Sequence, residues 1–226
     1  MADRDSAGAM TDVSLGEEAY HALLDRIIAG RYPAGSAMRE RQLSEELRVS
    51  RVPVREALRR LTSEGFLTTS KYRTATVRQL TLKDVDESFD LRMALEVLAA
   101  RQAAQAVARG ADGTELEALV AEARQLLEAG EHRRLGRVNV ELHQAIVRLS
   151  GNRSLEGMTG PLFGRMRWIF AMTSDRDPVA QCEEHEAIVA AILAGNADLA
   201  VPLVQVHTEE GRAPSLAHLS TLLPAG

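Results

Sequence analysis

Apolar residues recur at helical spacing along most of this chain, and strict alternation is confined to one short stretch. The first helical stripe runs from about Leu15 to Ala29, and Gly30 with Pro33 just beyond supplies the expected stop signals. A short second helix over Glu40 to Leu47 turns Leu43, Leu47 and Val49 toward a core. Ser50 then stands as an N-cap ahead of a third helix, Arg51 to Glu64, with Pro53 tolerated in its first turn and Gly65 ending it. In that helix Val54, Ala57, Leu58 and Leu61 follow the i, i+3, i+4, i+7 spacing of a buried stripe, while Arg51, Arg55 and Arg59 line another face. From Phe66 to Arg78, Phe, Leu, Thr and Val alternate about a polar centre, Ser70 to Arg73, which predicts a two-stranded hairpin.

Beyond Leu80 the pattern is purely helical. Thr81, with Asp84 three residues later, forms a capping-box-like start for a helix reaching about Arg109, and Gly110 to Gly113 breaks it. Further helices are predicted near Thr114 to Ala129, Glu131 to Ser150, Ser154 to Thr173, Pro178 to Ala194 and Ala197 to Gly211. Short Gly-, Asn- and Asp-containing breaks separate the six, so neighbours should pack antiparallel as a bundle. Residues 1–13 mix Asp, Ser, Gly and Thr without an apolar period and read as a disordered lead-in. The expected organisation is this lead-in, a winged helix-turn-helix over 14–80, and an all-α bundle over 81–226 for effector binding and dimerisation.

Composition sharpens the picture in three places. No stretch approaches the roughly 18 to 20 apolar residues of a membrane span, and the polar N-terminus lacks the apolar run of a signal peptide, so a cytoplasmic protein without membrane contact is expected. The single cysteine, Cys182, cannot form an internal disulfide or a Cys-rich zinc site, which leaves histidine with carboxylate or amide groups to hold any metal. Net charge is -5, yet eleven Lys and Arg face five Glu between Arg31 and Arg78, whereas fourteen basic face twenty-one acidic residues from Thr81 onward. A basic N-terminal unit is joined to an acidic C-terminal one.

Two short helices, a tight turn at Arg48 to Ser50 and a following hairpin describe a helix-turn-helix with a wing. Arginines on one exposed face near a helix N-terminus suit phosphate contacts and bidentate pairing with guanine in the major groove. The alternative is a solvated basic surface. The run Arg41-Gln42-Leu43-Ser44-Glu45-Glu46-Leu47-Arg48-Val49-Ser50-Arg51-Val52-Pro53-Val54-Arg55-Glu56-Ala57-Leu58-Arg59-Arg60-Leu61, followed by Glu64-Gly65, resembles the winged-helix signature of the GntR family of repressors. The resemblance implies DNA contacts from Arg41, Arg51 and Arg55 and a wing entering the minor groove through a glycine-built tip, and Ser50 and Val52 at the start of the third helix are further candidate DNA-binding residues. Here Tyr72 stands where that glycine is expected, and Lys71 and Arg73 beside it can still meet phosphates. A homodimer is expected, because one recognition helix reads few base pairs and a two-fold dimer reads a palindrome. The resemblance implies inverted half-sites of the TGGT and ACCA kind.

His143, His185 and His207 sit inside predicted helices, the last two centred on inward stripes, and Asn139 lies one turn before His143. Imidazoles converging from three helices can hold a divalent transition ion such as zinc or nickel in a bundle core. The alternative is that each is a packed core histidine. Leu91-Arg92-x-x-Leu95-Glu96, Asn139-x-x-Leu142-His143, Ser150-Gly151-Asn152, Glu184-His185-x-x-Ile188 and Gly195-Asn196-x-x-x-Ala200 leading to His207 resemble the FCD ligand-binding domain of the FadR-type branch of GntR regulators, in its six-helix, VanR-like form. That resemblance implies a metal held by Asn139, His143, His185 and His207 beneath an organic-acid pocket. Asn139 stands where many members have Asp, which keeps an oxygen ligand and removes a charge, and Pro202 removes a hydrogen bond within the final helix. Arg92 is the first candidate to pair with the acid, with Glu96 one turn on as its alternative partner; Arg165 and Arg167, among Phe163, Trp168 and Phe170, are weaker candidates. Rival readings are a regulator sensing its effector without metal and a histidine-ligated metalloenzyme. The second lacks support: Val189 stands where the metalloprotease motif begun by His185-Glu186 needs its second histidine, and no nucleophile elbow or nucleotide-binding loop is present.

Overall fold

The computed structural model describes residues 5–69, 74–173 and 176–226, with side chains from Leu15 onward, and the chain divides after Leu80 into two compact units. The first contains α1 (Asp5–Ile28), α2 (Glu40–Leu47), α3 (Arg51–Ser63), β1 (Leu67–Thr69) and β2 (Ala75–Val77). Helix α1 begins at Asp5, ten residues before the Leu15 start that periodicity predicts. Asp5 and Ser6 suit a helix start, and Ala7, Ala9 and Met10 are strong helix formers. A helix carried by propensity leaves no apolar stripe to detect.

Helix α1 packs on α3, burying Leu23 and Ile27 with Val54, Ala57 and Leu61. Arg60 ties the pair: it donates to Glu17 at 2.6 Å and Glu64 at 2.9 Å, and its guanidinium lies 3.7 Å above the Tyr20 ring. This arginine is structural. Arg48 closes α2 in the left-handed region, with φ 56°, and makes the tight turn into α3. Strands β1 and β2 pair antiparallel, Leu67 opposite Val77 and Thr69 opposite Ala75, and the segment before α2 adds to the β2 edge through Met38 N–H to the Ala75 carbonyl at 2.8 Å.

The second unit is a bundle of α4 (Leu82–Ala108), α5 (Thr114–Glu128), α6 (His132–Leu149), α7 (Arg153–Ala171), α8 (Pro178–Leu193) and α9 (Ala197–Leu219). Thr81 and Asp84 form the reciprocal capping box at the start of α4. Asn152, Asp177 and Asn196 each accept a backbone N–H at the starts of α7, α8 and α9. Helices α4 and α9 run antiparallel, because the Leu82 amide donates to the Pro224 carbonyl at one end and Gly195 packs on Ala108 at the other.

Helix α9 continues eight residues beyond the predicted stop at Gly211, through Pro202 and Pro214. Gly211 is a close-approach residue, not a terminator: an added Cβ would meet the Phe89 ring and the Arg176 guanidinium at 3.4 Å. Gly195 is the opposite case. Its φ is +67°, and an added Cβ would lie 3.0 Å from Ala108 Cβ and 3.3 Å from its Cα. Gly195→Ala is therefore expected to destabilise the bundle by about 1–3 kcal/mol, read from the urea midpoint; an unchanged midpoint would show that the α4–α9 junction yields freely. No helix among the described residues is long and apolar enough to cross a membrane.

Candidate nucleic-acid interface and candidate metal centre

The burial of Pro53, Val54, Ala57, Leu58 and Leu61 turns the remaining face of α3 outward, and Arg51, Val52, Arg55 and Arg59 are exposed there. Val52 is 51 % exposed, an apolar contact surface at the start of the helix. Ser50 occupies the N-cap position, exposed and with extended backbone, and its side chain makes no capping bond to the first amides of α3. Arg41 is exposed on α2. Glu40, also on α2, accepts from Arg55 Nε at 3.0 Å and Nη2 at 2.9 Å, and from Arg51 Nη2 at 3.3 Å. These bonds, that of Arg55 foremost, hold the Glu40 carboxyl below the ordinary range. Residues eleven and fifteen positions apart leave no spacing signal, and Glu40 was not singled out by sequence. Lys71, Tyr72 and Arg73 lie outside the described residues.

In the helical unit His143 from α6, His185 from α8 and His207 from α9 meet with all three rings buried. Nε2 of His143 lies 3.2 Å from Nε2 of His185 and 3.2 Å from Nε2 of His207. Two carboxylates orient the rings from behind. Glu96 faces His143 Nδ1 at 2.9 Å, and Glu184 faces His207 Nδ1 at 2.7 Å. An ionised carboxylate accepts from Nδ1–H, which fixes the tautomer and leaves Nε2 as a bare lone pair. Two such lone pairs at van der Waals separation repel one another unless a cation lies between them. Burial drives the proton affinity of His185 and His207 well below the usual histidine value.

The donor set fits a divalent transition ion. Bonds of about 2.1 Å to nitrogens this far apart subtend about 100° at the ion, between tetrahedral and octahedral edges. Asn139 is buried one turn before His143; its Nδ2 donates to Gln181 at 3.0 Å, while its Oδ1 is buried without a partner. An orphaned amide oxygen is the donor a fourth ligand requires. His185 Nδ1 and Thr208 Oγ1 are likewise buried and unpartnered.

Arg92 takes the partner that helical spacing offered: Nε and Nη2 donate to Glu96 at 2.6 and 3.1 Å. The pair holds the Glu96 carboxyl far below the ordinary range against a strong burial penalty. Nη1 of Arg92 is nevertheless buried with no partner, Nη2 lies 3.5 Å from His143 Nε2, and Phe89 and Phe170 flank the guanidinium at 5.5 and 5.6 Å. Arg165 and Arg167 are half-buried on α7, where Phe163 and Trp168 belong to the buried interior. Arg176, which sequence reasoning missed, donates to Glu184 and, at 3.4 Å, to the His207 carbonyl. It lies just before the predicted α8, in a loop whose composition signals only a break.

Residues 15–77 match the family model for bacterial regulatory proteins of the gntR family, and residues 87–210, more than half of the chain, match that of the FCD domain. The chain belongs to the GntR family. This GntR-family protein is 30 % identical over 210 residues, 92 % of either chain, to a "probable D-xylose utilization operon transcriptional repressor" of Paenarthrobacter nicotinovorans. Its fold is similar to that of McbR/YncC of Escherichia coli, with a TM-score of 0.76 at 23 % identity over 90 % of this chain and 97 % of that one. A structure described as the metal-free FCD domain of a transcriptional regulator aligns with a TM-score of 0.55 at 18 % identity, covering 63 % of this chain and 98 % of that one. The GntR-family chain is thus a transcriptional regulator rather than an enzyme, and its three histidines lie within the FCD match.

Proposed function

We propose that this regulator binds a palindromic DNA operator as a homodimer and that a small organic acid, bound at a divalent metal in the helical domain, controls its affinity. The observation that carries the reading is the convergence of the buried Nε2 atoms of His143, His185 and His207, with a carboxylate behind the His143 and His207 rings. His143, His185, His207 and the Asn139 oxygen would hold the ion, with zinc and nickel the best matches to imidazole donors. When bound, the ion supplies a Lewis-acid position for a carboxylate oxygen. Arg92, with its unpartnered Nη1 beside the cluster, pairs with the acid. Repression is the favoured direction, after the name borne by the Paenarthrobacter relative.

On DNA, Arg51, Val52 and Arg55 enter the major groove, Ser50 and the start of α3 meet a phosphate, and Arg41 contacts the backbone from α2, with Lys71 and Arg73 as further phosphate contacts. Arg51→Ala or Arg55→Ala is expected to weaken operator binding by about 1–3 kcal/mol and relax preference at one base, measured by fluorescence anisotropy over single-base operator variants. Arg41→Ala should weaken all sequences evenly. Binding that survives loss of both Arg51 and Arg55 contradicts the assigned recognition helix, and light scattering that finds a monomer on full operator contradicts the homodimer. The sensing half is tested by titrating carboxylic acids into the protein–DNA complex before and after chelation. A response confined to the metal-loaded protein supports it; an equal response after chelation assigns effector recognition to the protein alone.

A further inference from the structure

We propose that Glu40 is a positioning residue for sequence readout, a buttress that sets the reading edge of Arg55. The inference rests on the assignment of α3 as the recognition helix. A guanidinium has two useful hydrogen-bonding edges, and Glu40 occupies one of them: its two oxygens accept from Nε at 3.0 Å and Nη2 at 2.9 Å. The end-on edge, with one hydrogen from each of Nη1 and Nη2, is not used by Glu40, and an edge of this kind pairs with O6 and N7 of guanine. Glu40 sits in the first turn of α2, where the helix N-terminus favours a carboxylate, and its side chain is 28 % exposed against 45 % for Arg55 and 61 % for Arg51. The better-held partner is the acid, so it orients the arginines and not the reverse. A second bond, from Arg51 Nη2 at 3.3 Å, couples both arginines to one carboxylate.

A carboxylate beside DNA opposes the phosphates, so its removal on charge grounds alone should raise affinity for every sequence. A buttress has the opposite signature in discrimination. The test takes the duplex that the wild-type full-length protein selects from a randomised pool, together with a scrambled duplex of equal length and composition, and measures both affinities for Glu40→Gln and Glu40→Asp. The ratio of the two affinities is expected to fall about tenfold or more in both variants, because Gln loses the charge-assisted fork and Asp, one methylene shorter, loses reach. Binding to scrambled DNA should hold or strengthen in Glu40→Gln. In an Arg55→Ala background the Gln change should lower the ratio much less than in the wild type, leaving only the part that acts through Arg51, an outcome that general damage to the fold would not give; circular dichroism and thermal melting of each variant supply the control. Variants that discriminate as well as wild type overturn the buttress and leave the recognition helix standing. So does loss only in Glu40→Gln with Asp unaffected, which would mark charge and not geometry. If the wild-type protein selects no sequence at all, the recognition helix itself is misassigned and the buttress falls with it.

Discussion

Replacing His185 and His207 together by Ala is expected to take bound metal in the purified protein from about one ion per chain to none, because two of three imidazole donors vanish and the remaining pair cannot close a site. Elemental analysis reads this directly. Thermal melting gives an independent readout, since a ligand that binds only the folded state stabilises it: chelation should lower the melting temperature of the wild type and leave the variant unmoved. The acid response should disappear with the metal. DNA binding should persist, because the recognition residues belong to the separate N-terminal unit. Stoichiometric metal in the variant would mean that other residues hold it; loss of metal with an intact acid response would leave the ion a structural role only.

Arg92→Ala is expected to be among the most destabilising single changes in the helical domain, costing about 3–5 kcal/mol in denaturant or thermal unfolding. The reason is what remains: Glu96 is fully buried and ionised, and without the guanidinium its charge keeps, among the described residues, His143 Nδ1 at 2.9 Å as its partner. Replacing both members by apolar residues, Arg92→Met with Glu96→Leu, should recover much of that loss, because an absent pair strands no charge. Metal affinity should not recover. With Glu96 gone, nothing fixes His143 in the tautomer that leaves Nε2 free, and outer carboxylates of this kind typically matter 10- to 100-fold in metal affinity. A double variant as unstable as Arg92→Ala would show that the pair acts through packing shape and not through its charges.

Elements with a continuous apolar stripe and a terminal cap were legible in the chain itself. Val54, Ala57, Leu58 and Leu61 define α3 and its outward arginines, and Thr81 with Asp84 marks the start of α4. Boundaries set by other physics were not. The first turns of α1 rest on helix propensity without a stripe, and Gly211 resembles a stop although it serves as a contact surface for Phe89 inside α9. The site divides the same way. Helical phase placed His185 and His207 inward and Asn139 above His143, but the charges that orient them depend on how helices pack. Glu184 and Arg176 meet across the loop before α8, and Glu40 reaches α3 from another helix. Arg92 and Glu96 were legible as an i, i+4 pair and Arg92 as a candidate to pair with an acid; its buried, unpartnered Nη1 was not legible.

Anomalous diffraction tests the metal centre most directly. Data from crystals of the purified full-length protein, collected on either side of the absorption edge of the ion that elemental analysis identifies, should show one strong peak per chain, bounded by Nε2 of His143, His185 and His207 at about 2.0–2.2 Å, with Asn139 Oδ1 turned toward it. A stoichiometric ion bound anywhere else, or the three Nε2 atoms sharing only ordered water in protein saturated with zinc or nickel, would contradict it.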